Sequence, residues 1–182
     1  MENRTEQRTH RPPRVSTRIK NSTKPKFVVA EPAFYLCDAC HRLLVEENPS
    51  DSDLDIRCCG QSMQKLTARD ETDADAAAHR VDMVISGGFD ANVMTVTVGE
   101  PAHPMQAEHH LEWIYLHTFQ GGQIKFISTE NVAGATFALS DKDAYVYCDR
   151  LVCKGNRCKF NCKRGFTAYA YCNEHGLWKT TM

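Results

Sequence analysis

Four histidines and one cysteine constrain this chain more than any other feature. The cysteine lies in the run Tyr171-Cys172-Asn173-Glu174-His175-Gly176, near the C-terminus. His103 and His109 lie six apart in His103-Pro104-Met105-Gln106-Ala107-Glu108-His109, and His79 precedes an apolar alternating run. Four imidazoles and a thiolate suffice to surround one metal ion, with four nitrogens as a square base and sulfur at the apex. One face then stays open, which suits a reactive metal rather than a closed structural one. His10, His41, His110 and His117 follow no ligand spacing and read as ordinary surface or core residues.

The other cysteines fall into two groups. Cys37-x-x-Cys40 and the pair Cys58-Cys59, followed by Gly60, supply four thiolates. Tetrahedral sulfur ligation suits iron or zinc about equally. Adjacent ligands are unusual for a zinc ribbon and should distort the tetrahedron, with Gly60 relieving crowding beside the metal. Cys148, Cys153, Cys158 and Cys162 form the second group, among Lys154, Arg157, Lys159, Lys163 and Arg164. Basic neighbours stabilise thiolates. This group could hold an iron–sulfur cluster, a third mononuclear iron or zinc, or form two loop disulfides. Nine cysteines is an odd count, and local grouping with histidines favours metal sites in a reducing compartment over a disulfide framework.

Charge divides the chain. Residues 1–26 hold eight Arg or Lys against two Glu, while the remainder is acidic. We read residues 1–28 as a disordered basic tail. Residues 29–66 read as a four-cysteine metal domain, too small to bury a sufficient core without a metal. Residues 67–78 read as an acidic, alanine-rich linker or short helix, and residues 79–182 as a sandwich domain with a cysteine-rich insertion over 148–163. Period-two alternation marks strands at 80–86, 92–98, 111–118, 123–128, 136–139, 144–147 and 166–171. Gly87-Gly88 and Gly121-Gly122 mark turns between them. The expected class is mainly β, ending in an immunoglobulin-like antiparallel β-sandwich. No apolar run reaches the length of a membrane helix and none follows the N-terminus. The expectation is a cytoplasmic protein with no membrane or nucleic-acid partner.

From about Phe34 to Lys179 the chain resembles desulfoferrodoxin, the two-domain form of superoxide reductase. The resemblance rests on His79, on His103-Pro104-Met105, on His109 before Leu111-Glu112-Trp113-Ile114, on Cys172-Asn173-x-His175-Gly176, and on the N-terminal cysteines. It implies a rubredoxin-like or desulforedoxin-like first domain holding a distorted iron centre. It also implies a reactive mononuclear iron on His79, His103, His109, His175 and Cys172, with its sixth position vacant or weakly occupied in the reduced state. The implied reaction is one-electron reduction of superoxide to hydrogen peroxide, with a rubredoxin-like or other donor restoring the iron, in a homodimer. Many members carry Glu-Lys-His where this chain has Ala77-Ala78-His79, so the glutamate and the superoxide-attracting lysine are missing. Arg80 is the candidate to replace that cation. The alternative is a non-catalytic electron-transfer or redox-sensing iron protein.

Overall fold

The computed structural model describes residues 18–20, 29–50, 54–70, 72, 76–86, 92–140, 143–148 and 163–182. The first unit contains β2 (Ala33–Leu36), β3 (Leu43–Glu46), β4 (Arg57–Cys58), β5 (Gln61–Ser62) and β6 (Gln64–Lys65). They form a sheet ordered β3-β2-β6 and a hairpin β4-β5. One helical turn, α1 (Ala76–His79), leads into β7 (Val81–Ser86), β8 (Asn92–Val98), β9 (Leu111–Thr118), β10 (Gly121–Phe126) and β11 (Gly134–Leu139). The chain ends with β12 (Tyr145–Cys148), β13 (Lys163–Arg164), β14 (Thr167–Cys172) and β15 (Gly176–Thr181). Two antiparallel sheets, β10-β9-β14-β15 and β11-β8-β7, face each other as a sandwich.

Strand β14 shows how residue choice sets the layers. Its small residues Ala168, Ala170 and Cys172 point into the sandwich, against Val96, Ile114, Phe137 and Trp178. Tyr169 and Tyr171 point the other way, where Phe34, Leu36, Trp113, Tyr115 and Leu177 join them. A pleated strand presents alternate residues to opposite faces, and here both faces are buried. The usual half-wet sandwich sheet is therefore covered by the first unit. Along β2, Phe34 and Leu36 face the sandwich, while Tyr35 and Cys37 pack with Ala33 and Met63 in a small core beside the thiols.

Aromatic packing fills the contact between units. The Phe34 ring lies 5.1 Å from Trp113, 5.2 Å from Tyr115 and 5.0 Å from Tyr169, within the range where ring pairs attract beyond simple burial. Two phenols carry hydrogen bonds across it. Tyr169 Oη donates to Glu31 Oε2 at 2.9 Å, and Tyr115 Oη donates to Glu47. Lys179 Nζ stands 3.2 Å from the same Glu31 oxygen.

Four local features differ from the sequence reading. Gly121-Gly122 begins β10 rather than forming the turn, and Gly121 pairs with Thr118. Gly122 is needed because Tyr115 lies where a Cβ would stand. The C-terminal residues, read only as the end of the ligand motif, return as β15. Gly176 closes that hairpin at φ 79°, in the left-handed region glycine favours. Arg18–Lys20 (β1), within the stretch read as a disordered tail, pairs in parallel with β12, because an edge strand offers free backbone groups to any extended segment. Gly60 has no protein atom within 4 Å of a Cβ position, so no side chain crowds it. It adopts φ 80° directly after Cys59 at φ 52°, and this backbone bend is what needs glycine.

Candidate metal centres

The four-cysteine site is built on two turns. His41 N–H donates to Cys37 O at 2.8 Å, and Cys37 N–H donates to Arg42 O at 3.1 Å, which curls Cys37-x-x-Cys40 into a knuckle. The β4-β5 hairpin delivers Cys58 and Cys59. All four sulfurs lie within 4.8 Å of one another, with Cys40–Cys58 at 3.6 Å and Cys58–Cys59 at 3.9 Å. These distances bracket the edge of about 3.8 Å expected of a tetrahedron with ordinary metal–sulfur bonds. The Arg42 backbone N–H, with the neighbouring thiols, brings Cys40 down to about 7, whereas Cys40 first, then Cys58 and Cys37, push Cys59 up to about 12. Thiols this close resist full ionisation unless a cation neutralises them. The set fits a tetrahedral metal with thiolate preference.

The second site gathers residues from three places in the chain. His79 ends α1 and is buried. His109 closes the loop before β9. Cys172 ends β14, where the register with β9 shifts between Tyr171 and Cys172, and His175 follows in the turn to β15. One ligand atom from each of His79, His109, Cys172 and His175 lies within 4.8 Å of the others. His175 Nδ1 is 3.2 Å from His109 Nε2 and 3.6 Å from Cys172 Sγ. Neighbouring nitrogens on one octahedral or square-pyramidal ion stand about 3 Å apart, given ordinary metal–nitrogen bonds.

His103 sits beside this group of four. Its ring centroid is 4.6 Å from that of His109 and 4.9 Å from that of His79. Its Nδ1–H donates to Pro104 O at 2.6 Å, which leaves the Nε2 lone pair for another use. That Nε2 is buried and has no hydrogen-bond partner among the described residues. Burial, with the nearby imidazoles, brings His103 down to about 4. A neutral imidazole with an orphaned lone pair is the state a metal ligand requires. Burial pushes the Cys172 thiol up, against N–H donation from Glu174 and His175; the His175 N–H lies 3.4 Å from the sulfur. The donor set and this orphaned atom fit one metal ion.

Several supporting side chains were given no role in the sequence reading. Asn173 ties the His103–His109 loop to the Cys172 turn. Its Oδ1 accepts from His110 N–H at 2.8 Å, its Nδ2 donates to Glu108 O at 2.7 Å, and its own N–H donates to His110 O at 3.1 Å. Glu174 Oε2 stands 3.5 Å from His109 Nδ1. Trp178 stacks on His79, centroids 4.6 Å apart and planes within 7°. The Asn-Glu pair inside Cys-x-x-His was a visible signal; Trp178 had none, since a Trp in a strand reads first as core. Arg80 is engaged elsewhere, with Nε 3.2 Å from Asp82 and Nη1 3.7 Å from Glu100. Cys148 ends β12; Cys153, Cys158 and Cys162 lie outside the described residues.

Comparison with known proteins bears on the whole arrangement. A family model described as Desulfoferrodoxin matches residues 81–181. The chain is 31% identical over 125 residues to a protein named Desulfoferrodoxin from Nitratidesulfovibrio vulgaris, covering 69% of this chain and 78% of that one. It is 30% identical over 140 residues to a Desulfoferrodoxin from Clostridium acetobutylicum, covering 77% and 86%. The crystal structure of the superoxide reductase from Treponema pallidum shares the fold at TM-score 0.59 and 21% identity, across 83% of this chain and 98% of that chain.

Proposed function

Because the chain belongs to the desulfoferrodoxin family, we propose that it is an iron oxidoreductase that reduces superoxide to hydrogen peroxide. The observation that carries this reading is the approach of His79, His109, His175 and Cys172 to within 4.8 Å, with the His103 lone pair beside them. The Treponema pallidum protein with the same fold is described as a superoxide reductase. Ferrous iron, when bound, supplies one electron; superoxide takes it up together with two protons and leaves as hydrogen peroxide.

The residues hold this chemistry in place. Four imidazoles give a neutral ligand set, so Cys172 contributes the charge that balances the ion. N–H donation to its sulfur moderates how much electron density that thiolate releases. Pro104 O orients His103, Glu174 orients His109, and Asn173 keeps loop and turn in register. The four-cysteine site serves as a structural staple and as an electron relay when it holds iron; zinc would leave only the staple. A rubredoxin-like or other donor and a homodimeric assembly complete the proposal.

A second reading, a non-catalytic electron-transfer or redox-sensing iron protein, draws on two observations. Ala77 and Ala78 carry neither the carboxylate nor the ammonium group common in the family, and Arg80 is paired with Asp82 and Glu100. The deciding experiment delivers a pulse of superoxide to the reduced, iron-loaded protein. Oxidation of the iron with hydrogen peroxide formed one for one supports the reductase. Unreacted ferrous iron at superoxide concentrations in excess of the protein sinks it in favour of the second reading.

A further inference from the structure

The last ligand-bearing turn is touched by a residue from outside the sandwich. Arg69 lies between the four-cysteine unit and α1, and its backbone runs alongside β15. It forms a parallel bridge with Trp178. Its N–H donates to Leu177 O at 2.8 Å, and its carbonyl accepts from Lys179 N–H at 2.9 Å. The guanidinium carbon is 4.4 Å from the Trp178 ring centroid, and Nη1 donates to His175 O at 3.4 Å.

Two of the candidate ligands depend on what Arg69 touches. His79 ends a helix of one turn, too short to hold a side chain by its own backbone order. Trp178, buried at 2% exposure, covers one face of the His79 ring in a flat contact, while His103, His109 and His175 pack around the rest. A guanidinium over the indole holds that indole in place. The same guanidinium grips the carbonyl of His175. It also puts a permanent positive charge one aromatic ring away from His79.

We propose that Arg69 is a positioning residue of the metal centre, orienting His79 through Trp178 and His175 through its carbonyl, and favouring the reduced ion by its charge. The inference rests on the iron reading above. It also means that the segment between the two units is part of the site's support, and that the site is incomplete when the sandwich is considered alone.

The test uses the full chain and two variants, Arg69→Ala and Arg69→Lys, each checked for native far-ultraviolet circular dichroism. Cobalt(II) affinity is measured by competition with a chelator, following the Cys172-dependent sulfur-to-metal absorption. The midpoint potential of the iron-loaded forms is measured by equilibrium redox titration. Arg69→Ala should weaken cobalt binding about tenfold or more, as loss of a supporting contact around metal ligands does. Its potential should fall, because a nearby cation disfavours the more positive, oxidised ion. Arg69→Lys keeps the charge without the flat stack; it should also weaken binding but leave the potential near that of the unmodified chain. An Arg69→Ala protein with unchanged affinity and potential overturns the proposal, as does a lysine variant that matches the alanine variant in potential. If the unmodified chain shows no Cys172-dependent band, the iron reading itself fails, and that result is distinct from the other two.

Discussion

His175 meets Cys172 twice: its backbone N–H points at the Sγ from 3.4 Å, and its Nδ1 stands 3.6 Å from the same atom. In the proposed centre, one residue would thus supply a ligand and also tune its neighbour. Cys172→Ser keeps the turn but replaces the soft donor. The iron-loaded variant should lose the sulfur-to-iron absorption of this centre while the bands of the four-cysteine site stay. A visible spectrum with iron stoichiometry checks this, and loss of both sets of bands together would count against two separate centres.

The Glu31–Tyr169 contact makes part of the folding stability depend on pH. Burial raises the Glu31 carboxyl, but the Tyr169 hydroxyl and Lys179 outweigh it, so the net shift is below the ordinary value of 4.5. A carboxyl shifted down in the folded state contributes stability above its unfolded value, and loses it as pH falls through the folded value. Glu31→Gln should therefore lower stability at pH 7 by about 1 kcal/mol or less, given how much solvent reaches the pair. The difference should shrink below pH 4.5. Urea midpoints of both proteins across that range provide the measurement, and a gap that widens on acidification would refute it.

Phe34 is the ring that joins the two units. It is 1% exposed and meets three aromatic rings. Phe34→Ala should cost about 3–5 kcal/mol. The loss should appear first as unfolding of the small unit, read as early release of metal from the four-cysteine site under denaturant.

Gly122 is crossed by the Tyr115 ring. Gly122→Ala should push that ring off the strand and cost about 1–3 kcal/mol through overpacking. It should also weaken the Tyr115–Glu47 hydrogen bond. A double variant with Glu47→Ala separates the two effects, because it removes the acceptor and leaves the Tyr115 ring and hydroxyl in place: if the Gly122 substitution costs the same with and without the Glu47 carboxylate, only the overpacking is real.

Much of this was legible in the residues themselves. The alternation of small and large residues in β14 announces a strand between two different packing surfaces, and the cysteine and histidine spacings announce the two clusters of candidate ligands that the fold brings together. The nature of the second surface was not legible. The apolar run of β9 is compatible with any doubly buried strand, and nothing in its composition names the partner as β2. Arg69 and Trp178 were missed for a shared reason. Each acts on a neighbour distant in sequence, and a lone Arg or Trp carries no spacing pattern that could reveal it. Gly121-Gly122 was read as a turn, because a glycine pair carries no sign of the Tyr115 ring that lies across one of them. Arg80 was chosen on adjacency to His79, but adjacency does not decide direction, and Asp82 and Glu100 drew its side chain to themselves.

The burial of β9 and β14 on both faces has a consequence for anyone shortening the gene. A fragment starting at β7 would be made with Trp113, Tyr115, Tyr169, Tyr171 and Leu177 bare along one side. Such a greasy wall, several strands wide, invites copies to stick together. To yield a soluble product, the truncated gene would have to recode that wall with polar residues.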